Sequence, residues 1–263
     1  MTDNQQQPSI ESPDSLNGLT AIVTGGARGI GLGIAKDLAS QGCRIAIWDV
    51  DASALEQATT ALQQLGADVF AQLISVTSQE DVERSVAQLH SATGRVDILV
   101  NNAGIGGDKL VEKMTLDFWQ RVIDTNLTSQ FICAKAVLPY MVQQRFGRII
   151  NISSRAWLGN RGQASYSASK GGVVSFTRSL ALEYARYGIT ANAIAPGITE
   201  TPLFQTLSEQ VINDLKRSVP VQRIGQAEDV ANVVRFFSQP ASNYITGQLL
   251  YVCGGRSLSS VSV

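Results

Sequence analysis

Short, nearly all-apolar runs alternate with longer amphipathic stretches from residue 19 onward. The runs 19–24, 44–48, 69–74, 96–100, 147–153, 189–194 and 248–252 are rich in β-formers and predict strands. Val96-Asp97-Ile98-Leu99-Val100 shows the type. A half-exposed strand would alternate apolar and polar; a strand covered on both faces need not. The stretches 29–41, 52–65, 79–92, 115–144, 163–187 and 227–238 lie between them and predict helices. Strand–helix order repeated in this way predicts an α/β fold. It would be a doubly wound parallel sheet of about seven strands with helices on both faces.

The domain reading follows from the same pattern. Residues 1–17 are polar and acidic and read as a flexible tail. Residues 18–255 form a single domain with no internal linker or repeat. Between Pro202 and Pro220 the pattern breaks, so 199–222 is expected to be a lid over a ligand. Residues 256–263 are Ser-rich and read as a short second tail.

Composition narrows the function classes. A chain of 263 residues with 44% hydrophobic and 16% charged residues buries a substantial core. A formal net charge of -1 gives no pull towards nucleic acid or an anionic membrane. No apolar run approaches the roughly 20 residues that cross a bilayer, and the N-terminus lacks the basic and apolar regions of a secretory signal. Three scattered cysteines, Cys43, Cys133 and Cys253, argue against a disulfide framework and fit a reducing cytoplasm. His90 is the single histidine, so a Ser-His-Asp hydrolase or a histidine-rich metal site would have to run through it. No metal site is expected, and His90 itself is expected to be solvated.

The loop after the first strand reads Thr24-Gly25-Gly26-Ala27-Arg28-Gly29-Ile30-Gly31 and leads into a helix pattern. Gly25, Gly29 and Gly31 allow a sharp turn and a close approach of backbone N–H groups to a pyrophosphate. No Gly-Lys-Ser/Thr follows, so it is not a Walker loop. The second strand ends at Asp49, roughly 20 residues on, where a carboxylate can take the ribose hydroxyls of an adenosine. Asp49 could equally cap the helix that starts near Asp51.

The spacing Gly-x-x-x-Gly-x-Gly resembles that of the short-chain dehydrogenase/reductase family, and further motifs extend the resemblance over about 18–255. Asn101-Asn102-Ala103-Gly104 follows the fourth strand, Asn126 stands in Asp124-Thr125-Asn126-Leu127, and Ser153-Ser154 ends the fifth strand. Tyr166-Ser167-Ala168-Ser169-Lys170 matches Tyr-x-x-x-Lys, and Ala195-Pro196-Gly197 matches the family's turn after the sixth strand. The pattern is most similar to 3-oxoacyl reductases and secondary-alcohol or polyol dehydrogenases.

The resemblance implies a catalytic set of Asn126, Ser154, Tyr166 and Lys170. At this spacing Tyr166 and Lys170 share one helix face, and an ammonium favours the phenolate of a neighbouring tyrosine. Tyr166 is then implied to be the acid-base group, and Lys170 to hold the nicotinamide ribose as well. Relatives ending this strand with two serines use the second, which selects Ser154. The count of residues to Tyr166 is one short and would select Ser153. Strand register is the firmer guide, because loops absorb deletions. Asn126 is implied to bend its helix and complete a proton relay through a water beside Lys170. The plainer reading is a buried asparagine bonded to backbone.

By the same resemblance the dinucleotide would lie along Gly25, Arg28, Gly29, Ile30, Gly31, Asp49, Ser75, Val76, Asn102, Ala103, Gly104, Tyr166, Lys170, Pro196, Gly197, Ile198 and Thr201. Asp49 favours NAD over NADP, whereas Arg28 stands where some relatives hold the 2′-phosphate. Ser75-Val76 replaces the usual Asp-Val or Asn-Val near the adenine. The pocket wall is implied to come from Ile105, Gly106, Ala156, Trp157, Leu158, Leu203, Phe204 and Leu207. It would be mainly apolar, with Arg155 and Arg161 as the charged exceptions. A homotetramer is implied through 115–144 and 163–187, using apolar residues such as Phe131, Val137, Val173 and Phe176. The leading expectation is hydride transfer between NAD(H) and a secondary alcohol or ketone. Alternatives are a 3-oxoacyl-thioester reductase and a non-catalytic dinucleotide-binding protein. For the thioester reading, Arg145 occupies one position used to receive an acyl carrier, and Tyr187 replaces the other.

Overall fold

A computed structural model describes residues 14–200 and 208–258. Among these, seven strands form one sheet: β1 (Thr20–Thr24), β2 (Arg44–Asp49), β3 (Val69–Leu73), β4 (Ile98–Asn101), β5 (Gly147–Ile152), β6 (Ile189–Pro196) and β7 (Leu249–Val252). Every pairing is parallel and the order is β3-β2-β1-β4-β5-β6-β7. From β1 the chain runs outwards through β2 to β3, then crosses back to place β4 on the other side of β1. A crevice opens at such a switch, outside the carboxyl ends of the strands.

Strand alternation divides the core. Ala21 and Val23 of β1, with Ile45 and Ile47 of β2, face α1 (Gly29–Ser40), α2 (Ala52–Gln63) and α8 (Ala227–Ser238). Ile22, Ala46 and Trp48 face the other way, onto α3 (Gln79–Thr93), α5 (Ser129–Gln144) and α6 (Ala164–Tyr184). Both faces are covered, which is why the central strands need no polar alternation. Truncating a core side chain such as Ile34 would cost about 2–5 kcal/mol.

Three expectations change. Leu16 is 2% exposed and packs into the core, and its carbonyl accepts a bond from Cys43 Sγ. The domain therefore begins before residue 18. The helix expected over 115–144 is interrupted: α4 (Leu116–Ile123) and α5 are joined by a π turn, Asp124–Thr128. The stretch bracketed by Pro202 and Pro220 carries a further helix, α7 (Glu209–Arg217), capped by Ser208. The lid expectation over 199–222 falls partly on 201–207, outside the described residues.

Candidate active site

The glycine loop sits at the carboxyl end of β1, where α1 begins. Gly29 has φ +53, a conformation that costs a side chain strain, and a Cβ on Gly31 would collide with the Gly25 carbonyl oxygen. Asn102, from the end of β4, pins this loop. Its Nδ2 donates to the carbonyls of Thr24 (3.0 Å) and Gly25 (3.1 Å), and its N–H donates to Thr24 Oγ1 (3.0 Å).

A groove of about 650 Å³ runs from this loop to the ends of β2 and β3. Gly25, Arg28, Ile30, Gly31, Asp49, Ser75 and Val76 line it, with Asn102, Ala103 and Gly104 along its floor. Asp49 is nearly buried, and its carboxylate accepts from the backbone N–H groups of Ala27 (3.2 Å), Val50 (2.8 Å) and Asp51 (3.2 Å). The capping role considered for Asp49 belongs to Asp51, whose side chain accepts from Ala54 N–H at the start of α2. Asp51 also pairs with Arg28 at 3.1 Å. Ser75 shares its hydroxyl with Thr77 at 2.8 Å.

A cleft of about 450 Å³ continues past Gly104 and reaches Ser154, Tyr166 and Lys170. Pro196, which ends β6, and the following Gly197 and Ile198 line its side. Thr201, Leu203, Phe204 and Leu207 lie outside the described residues. Ser153 and Ser154 face opposite ways. The Ser153 hydroxyl is buried and donates to the Lys170 carbonyl at 2.9 Å. Ser154 accepts from Ala156 N–H at 3.1 Å and lines the cleft with Tyr166.

Lys170 is 3% exposed; its Nζ donates to the Ile152 carbonyl at 2.8 Å and lies 5.7 Å from the Tyr166 ring centroid. Burial pushes its pKa down to about 8. The expected ammonium effect on Tyr166 is overridden. Burial raises the phenol's pKa, the neighbouring Ser154 hydroxyl works against that rise, and the charge of Asp108 adds to it. The reason is geometric: Nζ is aimed at a carbonyl, so desolvation of the phenol dominates.

Asn126 is fully buried in the π turn. Its Oδ1 accepts from Ile105 N–H (2.8 Å), and its Nδ2 donates to the Ile105 carbonyl (3.0 Å) and to Ser169 Oγ (3.1 Å). These are the bonds of the plainer reading. The same bonds place the Gly104–Ile105 backbone over Lys170.

The expected pocket wall is only partly right. Ile105, Gly106 and Ala156 line the cleft. Trp157 is anchored instead by its Nε1–H donating to Tyr251 Oη at 2.8 Å, and Leu158 is 51% exposed. Arg161 is exposed, whereas Arg155 lines the cleft and is joined there by Arg256. The sequence reads Arg256 as part of a tail, because no periodicity marks a residue that follows the Gly254-Gly255 turn. Arg145 and Tyr187 stack at 5.6 Å, but they precede β5 and β6 and so stand at the end of the sheet opposite the cleft. His90 is half-buried, not solvated, with its ring 4.4 Å from that of Tyr140.

Residues 25–257 match the family model described as enoyl-(acyl carrier protein) reductase. The chain belongs to the short-chain dehydrogenase/reductase family. Among this family's members it is 41% identical over 238 residues to the (2S)-[(R)-hydroxy(phenyl)methyl]succinyl-CoA dehydrogenase subunit BbsD of Thauera aromatica. That match covers 90% of this chain and 96% of the relative. It is 40% identical over 243 residues to the 3-oxoacyl-[acyl-carrier-protein] reductase FabG of Escherichia coli, covering 92% and 98%. The solved structure of a levodione reductase superposes with a TM-score of 0.89 at 31% identity, covering 93% of this chain and 99% of that one. As a short-chain dehydrogenase/reductase the protein is an oxidoreductase that binds a nicotinamide dinucleotide.

Proposed function

We propose that the protein is an NAD-dependent oxidoreductase that moves a hydride between the nicotinamide and a secondary alcohol or ketone. The observation that carries this reading is the convergence of Ser154, Tyr166 and Lys170 in one cleft continuous with the groove around Asp49. The dinucleotide, when bound, supplies or takes up the hydride. Burial favours the neutral phenol of Tyr166, which lines the cleft with Ser154, so it is set to give its proton to a ketone oxygen. The Ser154 hydroxyl holds that same oxygen. Lys170 keeps a positive charge beside the phenol and takes the ribose. Asn126 acts at one remove, by fixing the backbone over Lys170.

NAD is favoured because Asp49 ends β2 as an anchored carboxylate, and Arg28 is already engaged by Asp51. Reduction of a 3-oxoacyl thioester is the second reading, supported by the name of the Escherichia coli relative. One screen tests both: secondary alcohols and 3-hydroxyacyl thioesters with NAD at alkaline pH, followed by NADH absorbance. Tyr166→Phe should abolish turnover and leave NADH binding nearly intact. A variant retaining more than a few per cent of activity would remove Tyr166 from the mechanism.

A further inference from the structure

Beyond β4 the chain runs along the rim of the catalytic cleft as a strap, residues 105–109. One end is held by Asn126, through the N–H and carbonyl of Ile105. The other end is held by the loop that leads into α6. Lys109 N–H donates to the Gly162 carbonyl at 2.6 Å, and Asp108 Oδ1 accepts from Gln163 Nε2 at 2.6 Å. Between the two ends Gly107 is buried against α6, where a Cβ would stand only 3.1 Å from Ser165 Oγ. Ser165 Oγ is itself buried without a hydrogen-bond partner, so close packing sets this contact.

Gln163 links the strap to the chemistry. It immediately precedes α6, lines the cleft, and accepts at its carbonyl from Ser167 N–H at 2.7 Å. Its side chain joins two segments: Oε1 accepts from Asn160 Nδ2 at 2.9 Å while Nε2 donates to Asp108. Tyr166 stands three residues further on, in the first turn of the helix. A first turn has no preceding turn to brace it, so whatever grips residue 163 decides where the Tyr166 hydroxyl stands.

An exposed carboxylate ordinarily contributes little through its charge. Asp108 is exposed, yet it is bonded to a cleft residue and its charge reaches the buried phenol of Tyr166. The charged groups of the cleft are Lys170 on the same helix, Arg155 after β5 and Arg256 after β7. Arg155 Nε donates to the Arg256 carbonyl at 3.3 Å. The Lys109 ammonium, next to Asp108, is turned onto the Phe118 ring at 5.0 Å. No aspartate or glutamate lines the cleft among the described residues, so the negative charge that acts on the phenol is that of Asp108.

We propose that Asp108 is a positioning residue of the active site: through Gln163 it ties the strap to the start of α6 and fixes the Tyr166 hydroxyl in the cleft. This rests on the reading of Tyr166 as the proton donor, and adds a residue on which that role depends. The carboxylate also disfavours the phenolate, so removing its charge lets Tyr166 ionise at lower pH.

Two substitutions separate grip from charge. Asp108→Ala removes both, whereas Asp108→Asn keeps an oxygen for Gln163 and removes the charge alone. Amide hydrogen exchange on the whole enzyme reads the grip. The Lys109 and Ser167 amides should exchange about tenfold faster or more in Asp108→Ala, and near the wild-type rate in Asp108→Asn. Tyrosinate absorbance of each protein, less that of its Tyr166→Phe counterpart, reads the phenol. Both Asp108 variants should ionise Tyr166 about half a unit below the wild type. With a substrate from the screen, Asp108→Ala should lower kcat on the order of ten- to a hundredfold and leave NADH affinity unchanged. Asp108→Asn should restore kcat at neutral pH to within about threefold of the wild type. On a Gln163→Ala background, Asp108→Ala should cost no further kcat, because both act through one contact. Unchanged exchange or unchanged kcat in Asp108→Ala would overturn the proposal. So would an Asn variant that behaves as the Ala variant does, or losses that multiply in the double variant. A Tyr166 ionisation that stays in place would overturn the role of the charge. A wild type that turns over nothing in the screen refutes hydride transfer alone, since exchange and ionisation still judge the tie.

Discussion

At the level of single residues, the adjacent serines show what a backbone direction decides. Ser154→Ala should cost on the order of 2–4 kcal/mol in kcat/KM, the usual loss when a donor to a reacting oxygen is removed. Ser153→Ala should leave kcat/KM nearly unchanged and lower the melting temperature, because its hydroxyl serves the α6 backbone. Kinetics and a thermal melt on both variants check this. Lys170 allows a pH experiment whose sign is fixed. Its pKa in the folded protein, about 8, lies below that of the unfolded chain. The unfolded state therefore holds the proton more tightly, and the stability penalty is full below about pH 8 and falls as pH rises. Relative to Lys170→Met, the wild type should gain about 2 kcal/mol between about pH 7 and 9.5 by denaturant titration. A difference that stays flat across this window would show that Lys170 is not desolvated. The orientation of Ser154 could be inferred from the strand's two-residue period. The partner of Arg155 could not, because Arg256 reaches the cleft from a glycine turn that leaves no pattern in the chain.

Elements were legible where burial is two-sided. Each of the seven strands lies within two residues of its apolar run, because the apolar residues outnumber the polar ones in every strand, even where β5 buries Arg148 and Asn151 and the edge strand β3 is half-exposed. Helices were legible up to the point where periodicity continues through a defect. The π turn at Asp124–Thr128 is a local change of hydrogen bonding with no proline or glycine to mark it, so 115–144 reads as one helix. The β2–α2 corner shows how an element boundary bears on cofactor choice. Asp49 closes the strand, Asp51 caps the helix, and Arg28 pairs with Asp51. A carboxylate and a phosphate a few ångströms apart repel by up to a few kcal/mol at an effective dielectric of about 20. Wild type should therefore prefer NAD over NADP by about one to three orders of magnitude in kcat/KM. Asp49→Asn keeps the loop's acceptor and should recover part of the NADP activity. Adding Asp51→Ser, which retains a cap while releasing Arg28, should bring the two cofactors near parity. Steady-state kinetics with both cofactors decide it, and a wild type preferring NADP would defeat the assignment of Asp49.

On the scale of the whole molecule, the outer face of α5 and α6 is an apolar region that one chain leaves partly uncovered. Phe131 and Phe176 meet there at 6.4 Å between ring centroids, and Phe131 remains 49% exposed. Val137 and Val173, grouped with them on sequence grounds, point inward and are fully buried. Helical phase places all four on apolar positions but does not say which side of each helix meets the sheet. Pairing this face with copies of itself should give a homotetramer by sedimentation at micromolar concentration, and Phe131→Glu should shift it to smaller species.

The position of β1 has a consequence for how the chain acquires this shape. Its two neighbours are made at different times: β2 follows soon after, but Thr20 must wait for Asp97, 77 residues later, to receive its N–H. Closing that loop costs entropy before any pairing repays it, which slows folding. Until β4 arrives, the apolar edge Ala21-Ile22-Val23 is open to any other strand, including that of another nascent chain. Slow refolding and aggregation at high concentration are thus built into the strand order, by the same parting of β1 from β4 that opens the cofactor groove.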